Sequence, residues 1–277
     1  MKISKYWYKD QFAIDNEYYN YINCWAGSNI SEADAKAKAQ AKVQDWTQRL
    51  QTGEEIGDYE YQIGEIREEL IEEVFNEEQR LIAAITRNRY GALILNTDEL
   101  LIADVDISEK TFIETFKSWF GKKIDKRTQC LQQIKACYQN HQKLNFIIYE
   151  TYAGFRIIIT GYRYTADAPE THALFAELNA DKMYVKLCRI QECFRARLTP
   201  KPWRCQAARP QQRFPRLSSE HQAAFSQWLR NYEVLSEKYA VCYKIEQLGK
   251  NYISATDDKI LALHDAYVLK PGKLPLA

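Results

Sequence analysis

The chain has 277 residues, 46% of them apolar and 13% aromatic, with only ten Gly and seven Pro; this is ample for a sizeable core and excludes a low-complexity or fibrous protein. Thirty-eight basic residues against thirty-seven acidic ones leave a formal charge of +1, so no global field draws the protein to nucleic acid or membrane, and any such binding is local. Seven Cys at irregular spacing and a start, MKISKYWYKD, without an apolar stretch point to reduced thiols and a cytoplasmic protein, and no apolar run is long enough to span a bilayer.

In chain order, the aromatic segment from Trp7 to Trp25 reads as extended structure closed by a turn at Gly27, Ser28 and Asn29. Ser31 and Asp34 form a variant of the capping box, and Ala39, Val43, Trp46 and Leu50 then share one helical face, which predicts a helix from about Glu32 to Leu50. Residues 54–78 carry eleven acids and one base, Arg67, with Ile66, Leu70 and Val74 at every fourth position. That pattern predicts an exposed helix with a solvated acidic face, or alternatively a partner surface. Residues 81–86, 92–95 and 100–107 are short apolar runs bounded by turns, hence an antiparallel meander. A helical region over 109–143 follows, through Phe112, Ile113, Phe116 and Phe120 and then Leu131, Ile134 and Tyr138, long enough for a crossover connection.

Strands are expected over 145–150 and 154–161, then a helical stretch from Pro169 to about Phe194. Residues 189–216 hold eight bases and one acid, interleaved with Phe194, Trp203 and Phe214 and punctuated by four prolines, which predicts a basic, aromatic loop. Ser218 opens a long helix, and 239–245 and 252–255 read as strands before a short terminal helix. No repeat and no Gly/Ser linker divides the chain, so residues 1–277 are expected to form one compact α+β domain with an N-terminal helical layer over 1–79.

The run Leu100-Leu-Ile-Ala-Asp-Val-Asp106 places two carboxylates two residues apart after a buried strand. Residues i and i+2 of a strand project on the same side, so Asp104 and Asp106 repel one another unless a cation such as Mg²⁺ or Mn²⁺ sits between them. Such a pair at a strand's end suits metal-assisted phosphoryl or nucleotidyl transfer; otherwise it caps the strand and its turn. Arg156, at the mouth of an apolar strand, needs an anion, either Asp104 or Asp106 or a phosphate. In the basic loop, Arg195, Arg197, Lys201, Trp203 and Arg204 offer guanidinium and ammonium groups for phosphates and an aromatic face for a base; the competing reading is a buttress for the acidic segment. Cys188, Cys193 and Cys205, with His172 nearby, lack paired metal-ligand spacing and read as buried thiols. No Walker A, G-x-G-x-x-G or G-x-S-x-G motif is present, which removes the P-loop, Rossmann and serine-hydrolase classes.

Taken together, the strand ending in Asp104 and Asp106, a helical crossover, and a second strand entered through Ala153-Gly154-Phe155-Arg156 resemble the archaeo-eukaryotic primase superfamily over about residues 80–185. The resemblance implies an RRM-like palm, an antiparallel or mixed sheet flanked by helices over 80–277, in which Asp104 and Asp106 hold divalent metal and Asp181, or else Asp257, supplies a third acid. It implies a metal-dependent nucleotidyltransferase with nucleotide or nucleic acid as partner and with Asp104, Asp106 and Arg156 as its catalytic set. The chain departs from that family where a His would bind the nucleotide's phosphate: Arg156 stands there. Over its whole length it also resembles a group of bacterial proteins of unassigned activity that share its Trp-x-Gly-Ser, Thr-Arg-Asn-x-Tyr-Gly-Ala-Leu and Phe-Arg-Ala-Arg-Leu-Thr-Pro-Lys-Pro-Trp-Arg segments. Two alternatives stand beside the nucleotidyltransferase: a non-catalytic nucleic-acid-binding or regulatory protein on the same fold, and a haloacid-dehalogenase-like phosphatase opening on Asp104-Val-Asp-Ile-Ser108, with Thr160 and Asp257-Asp258 as later elements.

Overall fold

The computed structural model of the chain describes residues 1–13, 21–52, 66–107 and 125–277. Among these residues the fold is α+β, with three antiparallel sheets. A hairpin of β1 (Tyr6–Ala13) and β2 (Tyr21–Ser28) carries helix α1 (Glu32–Gln51). The Ser31 hydroxyl accepts from Asp34 N at 3.1 Å, so the helix starts where the capping residues predict. Ala39 and Val43 pack on Cys24 and Ala26, a small cluster apart from the main core.

The second sheet has the order β3 (Glu69–Phe75), β4 (Leu81–Arg87), β5 (Leu93–Thr97), β9 (Phe194–Arg197). The third has the order β10 (Cys242–Leu248), β7 (Asn145–Thr151), β8 (Gly154–Thr160), β6 (Leu101–Asp106). Helices α2 (Lys126–Asn140), α3 (Pro169–Glu177), α4 (Lys182–Gln191), α5 (Ser219–Ser236) and α6 (Ala255–Val268) complete the described elements. One apolar core joins the two four-stranded sheets, from Ile82, Ile85 and Leu95 to Ile102, Ile148 and Ile158, with Ile134 of α2, Phe175 of α3 and Ile260 of α6 closing over it. Strands β6 and β7 both run antiparallel to β8, which lies between them; β6–α2–β7–β8 is therefore a split β-α-β unit.

Several sequence expectations are corrected. The acidic segment is a strand, β3, over 69–75, and its part over 53–65 lies outside the described residues. A spacing of four fits one helical turn, but pairing with β4 selects the strand, and a register shift between Leu70 and Glu72 sets Leu70 opposite Thr86 and Val74 opposite Ala83, so the two do not share a face. The N-terminal layer accordingly holds a hairpin and one helix rather than helices alone. The meander stops after β5: β6 pairs with β8 in the other sheet, because residues 98–100 turn the chain away. The predicted helical residues Phe112, Ile113, Phe116 and Phe120 lie outside the described residues, whereas Leu131, Ile134 and Tyr138 are in α2. The stretch from Pro169 splits into α3 and α4, and Phe194 begins β9, so the basic loop starts as a strand. Residues 252–254 form no strand; Ser254 caps α6 by accepting from Asp257 N.

Candidate functional site

β6 ends where two sheets meet, and four contacts fix that junction. The Tyr184 hydroxyl donates to Ile102 O on β6 and accepts from Arg195 N on β9. Asp181 N donates to Asp104 O at 2.8 Å, and Arg156 Nη1 on β8 donates to Arg197 O on β9 at 3.0 Å. The backbones carrying Asp104, Arg156, Asp181 and Arg197 are thereby tied together.

On this frame Asp104 lies opposite Arg156 and Asp106 opposite Gly154. A Cβ on Gly154 would sit 2.0 Å from Val105 O, so only glycine lets β8 approach the end of β6 this closely. Among the described residues, neither carboxylate has a hydrogen-bonded or ion-paired partner; the turn that the strand-capping alternative needs, from residue 108 on, lies outside the described residues. Desolvation, and then the charges of Asp104 and Asp181, push the Asp106 carboxyl above its ordinary value although its side chain reaches solvent; Lys201 and Arg197 oppose the shift. The rim thus carries negative charge that its own side chains do not neutralise.

Asp181 plays two parts. Its carboxylate accepts from Tyr184 N at 2.7 Å and caps α4. It also adds to the field at Asp106, yet Asp104, Asp106 and Asp181 do not converge into a ready three-carboxylate cage among the described residues. Asp257, the other candidate third acid, sits at the start of α6, where Glu99 and Arg163 are the charges it feels.

Facing the acids is a basic group. The Arg197 guanidinium is pulled down to about 10 by burial, with Asp104 opposing, Arg156 and Arg204 adding to the fall, and Asp106 opposing. Its Nε is buried without a hydrogen-bond partner, which is costly unless something arrives to accept from it. Lys201 is likewise lowered by burial and by Arg197 and Arg204, against Asp106 and Asp104. Arg204 lies over the exposed Tyr152 ring at 4.1 Å, and Trp203, 42% exposed, meets Tyr90 edge-on at 5.3 Å with the Arg209 guanidinium 4.5 Å above it. Basic and aromatic side chains therefore alternate along the surface beside the acids. An open cleft of about 420 Å³ lined by Ile107, Asp125, Lys126, Arg127, Tyr152 and Ala153 continues from the same end of β6.

Arg156 is 3% exposed and pairs with neither expected carboxylate. Its Nη1 donates at 3.0 Å to Nε2 of His264, which must therefore be the unprotonated nitrogen. The proton lies on Nδ1 and is donated to Asp265 at 2.9 Å, and Asp265 also accepts from the Tyr149 hydroxyl at 2.6 Å. Burial keeps the imidazole neutral, lowering it to about 4. This buried chain fixes Arg156 from behind. His264 carries no motif that sequence reading could catch, since Arg156, the residue it holds, lies 108 residues away.

The remaining predicted residue, Arg195, does not reach the site. Its guanidinium is buried, 2.6 Å from Glu68, whose carboxylate also accepts from the buried Thr86 hydroxyl, so it is an interior ion pair and not a nucleic-acid contact. Cys188, Cys193 and Cys205 are buried thiols. No helix among the described residues is long and apolar enough to cross a membrane. Comparison with known proteins returns nothing: no family model, no curated protein and no solved structure matches this chain.

Proposed function

We propose that the chain is a metal-dependent, primase-like nucleotidyltransferase or nucleotide-processing protein whose centre is the rim of Asp104 and Asp106. One observation carries the reading: among the described residues, two adjacent carboxylates without partners act on the half-buried guanidinium of Arg197, whose enclosed Nε also lacks a partner. Each half answers part of one ligand, a phosphate-bearing molecule with its divalent cation. Asp104 and Asp106 are oxygen donors of the kind that hard cations take, and Asp181 adds field rather than a ready third ligand. A bound Mg²⁺ or Mn²⁺ would supply charge neutralisation at the reacting phosphate.

The protein's own residues bind and orient. Arg197 and Lys201 accept a phosphate's charge, while Arg156, held by His264, keeps the Arg197 carbonyl and hence β9 in register with β6. Arg156 thus does not replace the resembled family's phosphate-binding His; it positions the residue that does. The likeness is to the split unit only, since β10 extends the sheet beside β7 and not beside β6, where an RRM-like repeat carries its fourth strand.

Calorimetric titration with Mn²⁺ and a nucleoside triphosphate tests the proposal. Binding that is lost in the Asp104→Asn, Asp106→Asn double variant supports it; absence of binding, or binding indifferent to the double variant, refutes it. A second reading, a non-catalytic nucleic-acid binder, is favoured by the Tyr90–Trp203–Arg209 stack. It expects salt-sensitive binding of a single strand that survives the double variant and falls in Trp203→Ala. The phosphatase reading gains nothing, because it needs its first Asp on a parallel strand and β6 pairs antiparallel with β8.

A further inference from the structure

A second cluster of metal-ligating groups lies away from the carboxylate rim. Cys137 and His141 stand one helical turn apart at the end of α2, and Glu177 is the last residue of α3. Glu177 Oε2 lies 3.0 Å from His141 Nε2 and 3.5 Å from Cys137 Sγ, and the three ligand atoms fall within 4.8 Å of one another.

From this geometry we infer that Cys137, His141 and Glu177 form a binding site for a zinc-type divalent ion that clamps α2 to α3. The ligand chemistry selects the metal. One thiolate, one imidazole and one carboxylate suit the borderline Zn²⁺ and not Mg²⁺ or Ca²⁺, which take oxygen donors. Placement favours a cation independently: α2 and α3 both terminate here, and the unpaired carbonyls of helix C-termini concentrate partial negative charge. The Cys137 thiol is buried while His141 and Glu177 reach solvent, which gives the ion a way in and leaves the fourth position to water. Gln133, one turn before Cys137, donates to Glu177 O at 3.4 Å and holds the two helix ends together. The site is tied to the rim by sequence alone, since Asp181 follows Glu177 by four residues.

Cobalt substitution reads the site without any assay of activity. The full chain, stripped with chelator and carrying Asp104→Asn and Asp106→Asn to silence the rim, is titrated with Co²⁺ and then back-titrated with Zn²⁺. The expected result is one equivalent bound with a thiolate-to-cobalt band in the near ultraviolet, bleached by Zn²⁺. Cys137→Ser should abolish the band, and His141→Ala or Glu177→Gln should weaken Zn²⁺ binding at least about 100-fold, the upper end of what loss of a mere supporting contact costs. Absence of the band, or Zn²⁺ affinity unchanged in both His141→Ala and Glu177→Gln, overturns the inference and leaves a His–Glu ion pair beside a thiol. Those two substitutions alter solvent-reaching side chains, so the outcome does not hang on whether the Cys137 variant folds.

Discussion

Arg195 and Arg197 stand two residues apart on β9 and meet opposite fates. Arg195 is closed in with Glu68 at 2.6 Å; burial works against its charge, but Glu68 more than offsets this and the guanidinium ends above its ordinary value. Arg197 is also desolvated, but no ion pair forms to it among the described residues, its Nε is orphaned, and it falls to about 10. Each arginine has one buried nitrogen without a hydrogen-bond partner, Nη1 of Arg195 and Nε of Arg197, so what sets them apart is the ion pair with Glu68, which has no counterpart at Arg197 among the described residues. A folded chain keeps a desolvated, unmatched charge only where something else compensates, and here the matching unmatched charges are Asp104 and Asp106. The difference separates a charge matched inside the fold from one that has no ion-paired partner among the described residues.

The largest expected effect breaks the buried ion pair of Arg195 with Glu68. Glu68→Gln strands a buried Arg195 charge and should cost about 3–5 kcal/mol, read as a lowered denaturant midpoint at unchanged slope. Next comes the buried chain behind Arg156. His264 sits at about 4 in the folded protein and near 6.5 when unfolded. Its folded value is depressed, so the unfolded chain takes up the proton first as pH falls. Stability is full above about pH 6.5 and declines toward pH 4, by on the order of 3 kcal/mol. Asp265, lowered by its bonds from His264 and Tyr149 against the opposing effect of burial, continues the loss below its ordinary 3.8. Denaturant melts at pH 7 and pH 4.5 should show this slope, and His264→Gln should flatten it.

Gly154→Ala is of middle size. The added methyl meets Val105 O, β6 must shift, and a cost of about 1–3 kcal/mol should accompany loss of Mn²⁺ binding. The smallest effects carry the most information because their sign reverses. Asp106→Asn relieves repulsion among three acids, and Arg197→Met removes an unpaired charge, so each should leave stability unchanged or raise it by about 0.5–1 kcal/mol. Thermal midpoints measured side by side should fall in Arg195→Met and hold or rise in Arg197→Met.

Much of this was legible in the sequence where the signal is local. The apolar run into Asp104 and Asp106 announces a buried strand with two polar residues on one face at its end, and β6 has that form. Helix α1, strands β7 and β8 and the Ser218 cap likewise follow from short-range periodicity and capping. What failed depends on distant partners. The passage of β6 into the other sheet is decided by β8, some fifty residues on, and β3 is a strand only because β4 pairs with it. Glu68 lies 127 residues from Arg195 and His264 lies 108 from Arg156, so no pattern distinguishes a structural arginine from an available one. Cys137 and His141 do carry a signal, Cys-x-x-x-His at one-turn spacing, but it acquires meaning only when Glu177 arrives from another helix.

The central claim is that Asp104 and Asp106 converge on one divalent cation whose anion is received by Arg197. Electron paramagnetic resonance of Mn²⁺ tests it most directly, since the free ion's sharp signal is quenched on binding. With a nucleoside triphosphate present, the account predicts quenching beyond that caused by the nucleotide alone, abolished by Asp104→Asn with Asp106→Asn and strongly reduced by Arg197→Met. Quenching that persists unchanged in both variants would contradict it.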